Sequence, residues 1–193
     1  MGQRNLLGDQ KRRSTSIMLL ASAQRGATLV EMLIGIAILA MLITIGVPSY
    51  TAWIQNTQIR TAAESVLNGM QLARNEAVRR NANVQLVLGA QSSWTISVPS
   101  TAEQIQTRDY GAGSKNVTVT KTPGAATTIT FNSLGRVVAN ADASATITQL
   151  DFDVPTSILS ATESRDLRIV VGAGGNVRMC DPNVTDATDT RFC

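Results

Sequence analysis

Histidine is absent from the 193 residues, so no Ser-His-Asp or Cys-His nucleophile and no imidazole-ligated metal site is available. What remains for chemistry is sparse. Glu31 is the one charge in a 21-residue run from Ala27 to Val47. Cys180 and Cys193 are the two cysteines, and they bracket a loop containing Asp, Pro and Asn. Such a pair fits a disulfide in an oxidising compartment. Free thiols in a reducing cytosol are the alternative, and export of the chain favours the disulfide. Asp181, Asp186 and Asp189 lie inside the same loop. Their spacing does not match a calcium loop, and a solvated acidic turn accounts for them. There is no paired-carboxylate motif. Met32, Met41 and Met70 fit helix packing and suggest no cofactor. An enzyme is not expected.

The elements that would position these residues begin with the apolar run. Met32 to Val47 is uncharged, and at about 1.5 Å per residue the whole run crosses most of a hydrocarbon core of about 30 Å. Arg4, Lys11, Arg12, Arg13 and Arg25 precede it against one acid, Asp9. That basic flank favours a cytoplasmic N-terminus. It also carries the excess of basic residues, since the rest of the chain is one charge negative. The overall charge of +3 is therefore weak evidence for a polyanionic partner. The stretch MLITIGVPSYTAW offers no small-residue cleavage site after the run. The run is expected to be retained as an anchor, with any processing before it.

Helical periodicity continues past the run. Pro48 removes a hydrogen bond to the Thr44 carbonyl and, beside Gly46, is expected to kink the helix. Beyond it Tyr50, Ile54, Ile59, Ala62, Val66, Met70, Ala73 and Ala77 recur at mostly three- and four-residue spacing. Gln55, Gln58, Arg60, Glu64, Asn68, Gln71, Asn75 and Arg79 fill the other face. One helix over about 28–81 is predicted, apolar all round in its first half and amphipathic in its second. After RRNAN the period drops to 2. NVQLVL, SWTISV, KNVTVTK, TTITFN, ATITQLDFDV, DLRIVV and GNVRMC read as strands. NSLG and GAGG read as hairpin links, and 99–114 and 139–144 as loops. The expected fold class is α+β, a long N-terminal helix packed on an antiparallel sheet domain. The expected parts are a basic leader (1–26), a transmembrane helix half (27–49), an amphipathic helix half (50–81) and a β domain (82–193). Trp53 and Trp94 read as interface and core residues.

The combination of a basic leader, Gly26, Thr28-Leu29-Val30-Glu31, the apolar helix and Pro48 resembles the class III signal of type IV pilins and type II secretion pseudopilins. LARNEAVRRNANVQLVL, FNSLGRV and RIVVGAGGNVRMCDP further resemble the GspH/FimT group, the pseudopilin H of type II secretion and its minor-pilin relatives. The resemblance spans nearly all of residues 25–182 and implies a pilin-like fold. It implies cleavage after Gly26 by a prepilin peptidase and methylation of the new amine on Ala27, where the family usually has Phe. It implies an inner-membrane protein with a periplasmic domain, whose partners are other pilins or pseudopilins in a filament. It further implies that Glu31 meets the N-terminal amine of a neighbouring subunit during assembly. The residues alone offer a local role too, a capping box in which Thr28 caps the helix and Glu31 reaches back to its amide. A cap could use Gln, so the pairing role explains the acid better.

Some members of the minor-pilin side are thought to bind DNA through a basic element before the first C-terminal cysteine. The group often has Gly-Arg-x-Arg there, and this chain has Gly175-Asn176-Val177-Arg178, one arginine fewer. Arg178 remains, Arg168 lies beside it if GAGG closes a hairpin, and Arg136, Arg165 and Arg191 could add charge. A DNA-uptake minor pilin is the alternative reading. Contact through so few arginines would be weak and salt-dependent, and a solvated strand face accounts for them more simply.

Overall fold

The computed structural model describes residues 26–193; of the expected leader, 1–26, all but Gly26 lies outside the described residues. One helix and nine strands follow. Helix α1 is Leu29–Arg80. The Thr28 hydroxyl opens it by accepting the Glu31 amide at 3.2 Å, an N-cap in the ordinary position. Arg79 and Arg80 complement the negative C-terminal end. Asn81, at φ 50°, stops it in the left-handed conformation that Asn tolerates. The helix runs on through Pro48, whose carbonyl accepts the Thr51 hydroxyl at 2.7 Å.

Contacts divide the chain into a unit ending at Leu42 and a second from Ile43 to Cys193. In the first, Leu29 to Leu42 are exposed on every face of the helix. That is how a helix apolar all round looks when its surroundings are lipid or other helices.

In the second unit the remaining helix has a buried face made of Ile59, Ala62, Ala63, Val66, Met70, Ala73 and Ala77. This is the periodic set expected from the sequence with Ala63 added, and with two corrections. Ile54 is half-buried and Tyr50 is exposed, because the packed face begins two turns later than the apolar spacing suggests. The partner surface is formed by strands β1 (Val84–Leu88), β2 (Trp94–Val98), β3 (Glu103–Arg108), β4 (Thr118–Thr122), β5 (Thr128–Phe131), β6 (Val137–Val138), β7 (Gln149–Asp153), β8 (Leu167–Val171) and β9 (Val177–Cys180). All the named strand pairs are antiparallel.

The strands divide between two sheets, β3-β2-β1-β5-β6 and β4-β7-β8-β9. The expectation of one sheet is refined accordingly. Alternation reports a strand's inward face but not its sheet. Residues 99–114, expected as a loop, contain β3. Its EQIQTR sequence has almost every residue exposed, so this edge strand carries no alternating apolar signal. The core joins helix and sheets, with Phe131, Phe152, Leu86, Ile96, Ile129 and Ile169 fully buried. Each contributes roughly 1.5–3 kcal/mol through apolar burial.

Gly69 sits inside the helix, where Gly costs about 1 kcal/mol relative to Ala. A Cβ there would lie 3.0 Å from the Trp94 ring and 3.1 Å from Leu86. Glycine lets the helix settle onto the indole, whose Nε1 donates to the buried Ser65 hydroxyl at 3.0 Å. At the helix end, Arg80 donates to both Glu103 oxygens at 2.9 and 3.0 Å and ties α1 to β3.

Candidate functional site

Two regions hold the residues singled out from the sequence. The first is the start of the helix. Gly26, Ala27 and Thr28 precede α1, and all three are exposed. The Thr28 cap is made, but the reciprocal half of the capping box is not. Among the described residues the Glu31 carboxylate has no hydrogen-bond or ion-pair partner. The local account of this acid is therefore corrected to a one-way cap, which uses the Glu31 backbone and leaves its side chain free. Glu31 is the one acid on the exposed, largely apolar helical surface of residues 29–44.

The second region is the β8–β9 hairpin and the disulfide loop. GAGG does close the hairpin, with the Gly172 amide donating to the Asn176 carbonyl at 2.9 Å and Val170 opposite Arg178. Arg168 and Arg178 thus lie diagonally on one face of the ladder. Neither guanidinium is free. Arg168 pairs with Asp151 on neighbouring β7. Arg178 donates to the main-chain oxygens of Phe192 at 3.0 Å and Cys193 at 2.8 Å. The third arginine, Arg136, is exposed in the NSLG hairpin and has no side-chain partner among the described residues.

Cys180 and Cys193 are disulfide-bonded, with their Cα atoms 5.2 Å apart. The bridge closes the loop, and the Asp181 amide bonds to the Arg191 carbonyl at 2.8 Å. The acids of this loop hold its own turns. Asp181 accepts the Asn183 amide at 2.9 Å, Asp186 the Thr188 amide at 2.9 Å and Asp189 the Arg191 amide at 2.8 Å. Arg191 also donates to the Asp189 carboxylate, and that contact with the amide bond holds its pKa down to about 2.

Sequence reasoning missed two positioning residues. Asn56 donates to the Glu163 carbonyl at 2.9 Å and accepts the Arg165 amide at 2.8 Å, so it clamps the 160–166 loop to the helix. Arg74 donates to the Gly135 carbonyl at 3.0 Å. Both are polar residues on a helix, and nothing in their spacing separates them from solvated neighbours.

The family profile described as "Type II transport protein GspH" matches residues 62–175. The chain belongs to this family. That match takes in the buried helix face from Ala62 onward, strands β1 to β8 and the GAGG turn. A second profile, the "Prokaryotic N-terminal methylation motif", matches residues 21–47 and so contains Gly26, Ala27 and Glu31. Two crystal forms of the type IV minor pilin FimU from Pseudomonas aeruginosa strain PAO1 are similar in structure, each at 16% identity. They cover 66% of this chain and 95% or 99% of theirs, with TM-scores of 0.47 and 0.48. No curated protein sequence matches. As a GspH-family chain with a methylation motif, the protein is a minor pilin or pseudopilin. Membership implies assembly with other pilins in a filament, and the motif with its apolar helix fits anchoring in a membrane.

Proposed function

We propose that this GspH-family chain is an inner-membrane subunit that enters a type IV pilus or a type II secretion pseudopilus through its N-terminal helix. The leader (1–26) is cut after Gly26 by a prepilin peptidase, and the new amine on Ala27 is methylated. Residues 27–49 hold the subunit in the bilayer with its N-terminus cytoplasmic. Residues 50–81 and 82–193 form the periplasmic domain, which works at or near the filament tip as a structural and assembly element. Pro48, beside Gly46, gives the helix a point at which to bend as it passes from lipid into the filament.

The observation that carries this reading is the state of Glu31. Its backbone is used by the cap, and its carboxylate is left without a partner in an apolar surface. A charge in such a place is costly in lipid, roughly 2.5–3.5 kcal/mol at a span centre and less near an end. The amine of a neighbouring subunit neutralises it and sets the axial register between subunits. Glu31→Gln keeps the shape and removes the charge. The variant is expected to insert and be processed normally but to be lost from sheared filaments. Normal incorporation would contradict the pairing role. Gly26→Ala is expected to leave a precursor that retains residues 1–26, visible on a gel.

A further inference from the structure

The rings of Tyr50 and Trp53 stack 5.9 Å apart with an interplanar angle of 28°, and both residues are exposed, at 62% and 63%. Neither the Tyr50 hydroxyl nor the Trp53 Nε1 has a hydrogen-bond partner among the described residues. The pair lies three and six residues past Val47, where the apolar run ends. At about 1.5 Å per residue these are about 4.5 and 9 Å along the helix. The polar layer flanking the hydrocarbon is about 5–8 Å thick on each side, so Tyr50 falls within it and Trp53 at its outer edge. Tyr and Trp concentrate in that layer because their rings are apolar and their tips are wet.

A charged groove adjoins the rings. Trp53, Asn56, Arg60, Glu163 and Arg165 line it. Arg60 is committed to Glu64 at 2.7 Å, and the Glu163 carboxylate accepts the Ser160 hydroxyl at 2.7 Å. The Arg165 guanidinium is exposed and has no partner among the described residues. Its backbone is held by the Asn56 clamp, so the loop carrying the cation is fixed one turn of helix beyond Trp53.

We propose that the Tyr50–Trp53 pair and Arg165 form a docking site for anionic phospholipid headgroups, which holds the folded domain against the bilayer surface before assembly. The proposal rests on the membrane-anchor reading above. Lipid is favoured over another subunit because the rings continue the apolar run into the headgroup layer. A guanidinium is also the side chain best shaped to grip a phosphate.

The test uses the full chain in phosphatidylcholine vesicles with and without phosphatidylglycerol, and tryptophan quenching by a nitroxide carried on the lipid headgroup. Trp94 is buried and supplies a constant background. Quenching is expected in the anionic vesicles and is expected to vanish in Trp53→Phe. It should fall about fivefold in Arg165→Ala or without the anionic lipid, from the usual effect of one basic residue at a charged surface. Quenching of Trp53 by aqueous acrylamide alone, unaffected by headgroup nitroxide, would overturn the proposal. So would protection that appears only as protein density in the vesicle rises, which would mark a subunit contact. Carbonate extraction separates the two readings. A chain that washes out refutes the anchor, whereas a chain that stays with Trp53 unquenched by lipid refutes the headgroup site alone.

Discussion

Gly175 meets Gly135 so closely that a Cβ on Gly175 would lie 1.8 Å from the Gly135 carbonyl oxygen. The two glycines sit in the hairpin turns of different sheets, at φ +83° and +70°, and the Val137 amide donates to the Ala173 carbonyl at 3.3 Å beside them. Arg74 of the helix bonds the same Gly135 carbonyl. Helix and both sheets therefore meet at one joint made of backbone. Gly175→Ala puts a side chain at a left-handed backbone position and against backbone that has no rotamer to move. It is expected to cost at least about 2 kcal/mol, read as a lower urea midpoint. Gly124→Ala, with nothing within 4 Å, should stay within about 0.5 kcal/mol of the parent.

Acid should weaken the fold through Glu76. Hydrogen bonds from Arg79, and then from Arg80, hold its carboxyl down to about 2 from an ordinary 4.5. A depressed folded pKa gives stability that is complete above about pH 5 and is lost as pH falls toward 2. Arg79 is largely exposed, so solvent limits the effect to about 1 kcal/mol. Urea midpoints measured between pH 6 and pH 2 should fall less steeply in Glu76→Gln than in the parent. Added salt should narrow that difference.

Much of this was legible in the residues because it rests on periodicity or on local chemistry. The apolar run, the buried helix face from Ile59 to Ala77, the Gly-rich turns and the cysteine pair all write themselves into short windows. The parts that were not legible depend on pairing across the fold. Strand β3 is an exposed edge with no apolar face to report. The division into two sheets leaves no mark on alternation within a strand. Tyr50 matches the packed spacing but sits outside the packed length. The capping-box spacing of Thr28 and Glu31 allows a bond from the Thr28 amide to the Glu31 carboxylate, but spacing does not decide whether the side chain makes it. Arg168 and Arg178 share the hairpin that GAGG closes, and that turn is readable from its glycines. Their partners, Asp151 and the chain near Cys193, come from a neighbouring strand and from a loop, and neither is adjacent in sequence.

The disulfide loop should be stabilising in proportion to its length. Cys180 and Cys193 are 13 residues apart, and a loop of that size confers about 3 kcal/mol on the chain-entropy account. Reduction, or Cys193→Ser, is expected to lower the unfolding midpoint by an amount of that order. Arg178→Ala should cost less, about 1–2 kcal/mol, because it removes two exposed hydrogen bonds and leaves the covalent closure intact. If Arg178→Ala adds nothing once the bridge is reduced, the two act as one unit, and the double variant measures that coupling directly.

The same arginine separates a filament subunit from a nucleic-acid receptor. Phosphate contact through Arg168, Arg178 and Arg136 requires at least the first two to leave bonds they already make, to Asp151 and to the main chain of Phe192 and Cys193. Of these three only Arg136 makes no side-chain hydrogen bond or ion pair among the described residues, and Arg165 is the other arginine in the same position. Two available guanidinia release about two counterions at most, so any affinity should be low and should disappear as salt approaches physiological strength. The expected result with the full chain in neutral detergent is no mobility shift of duplex DNA at 150 mM salt. At low salt, any weak binding should be reduced in Arg136→Ala and nearly unchanged in Arg178→Ala. Tight binding at 150 mM that falls with Arg178→Ala would mean that the arginine gives up the Phe192 and Cys193 main-chain oxygens for phosphate, and would favour the DNA-uptake reading over a purely structural one.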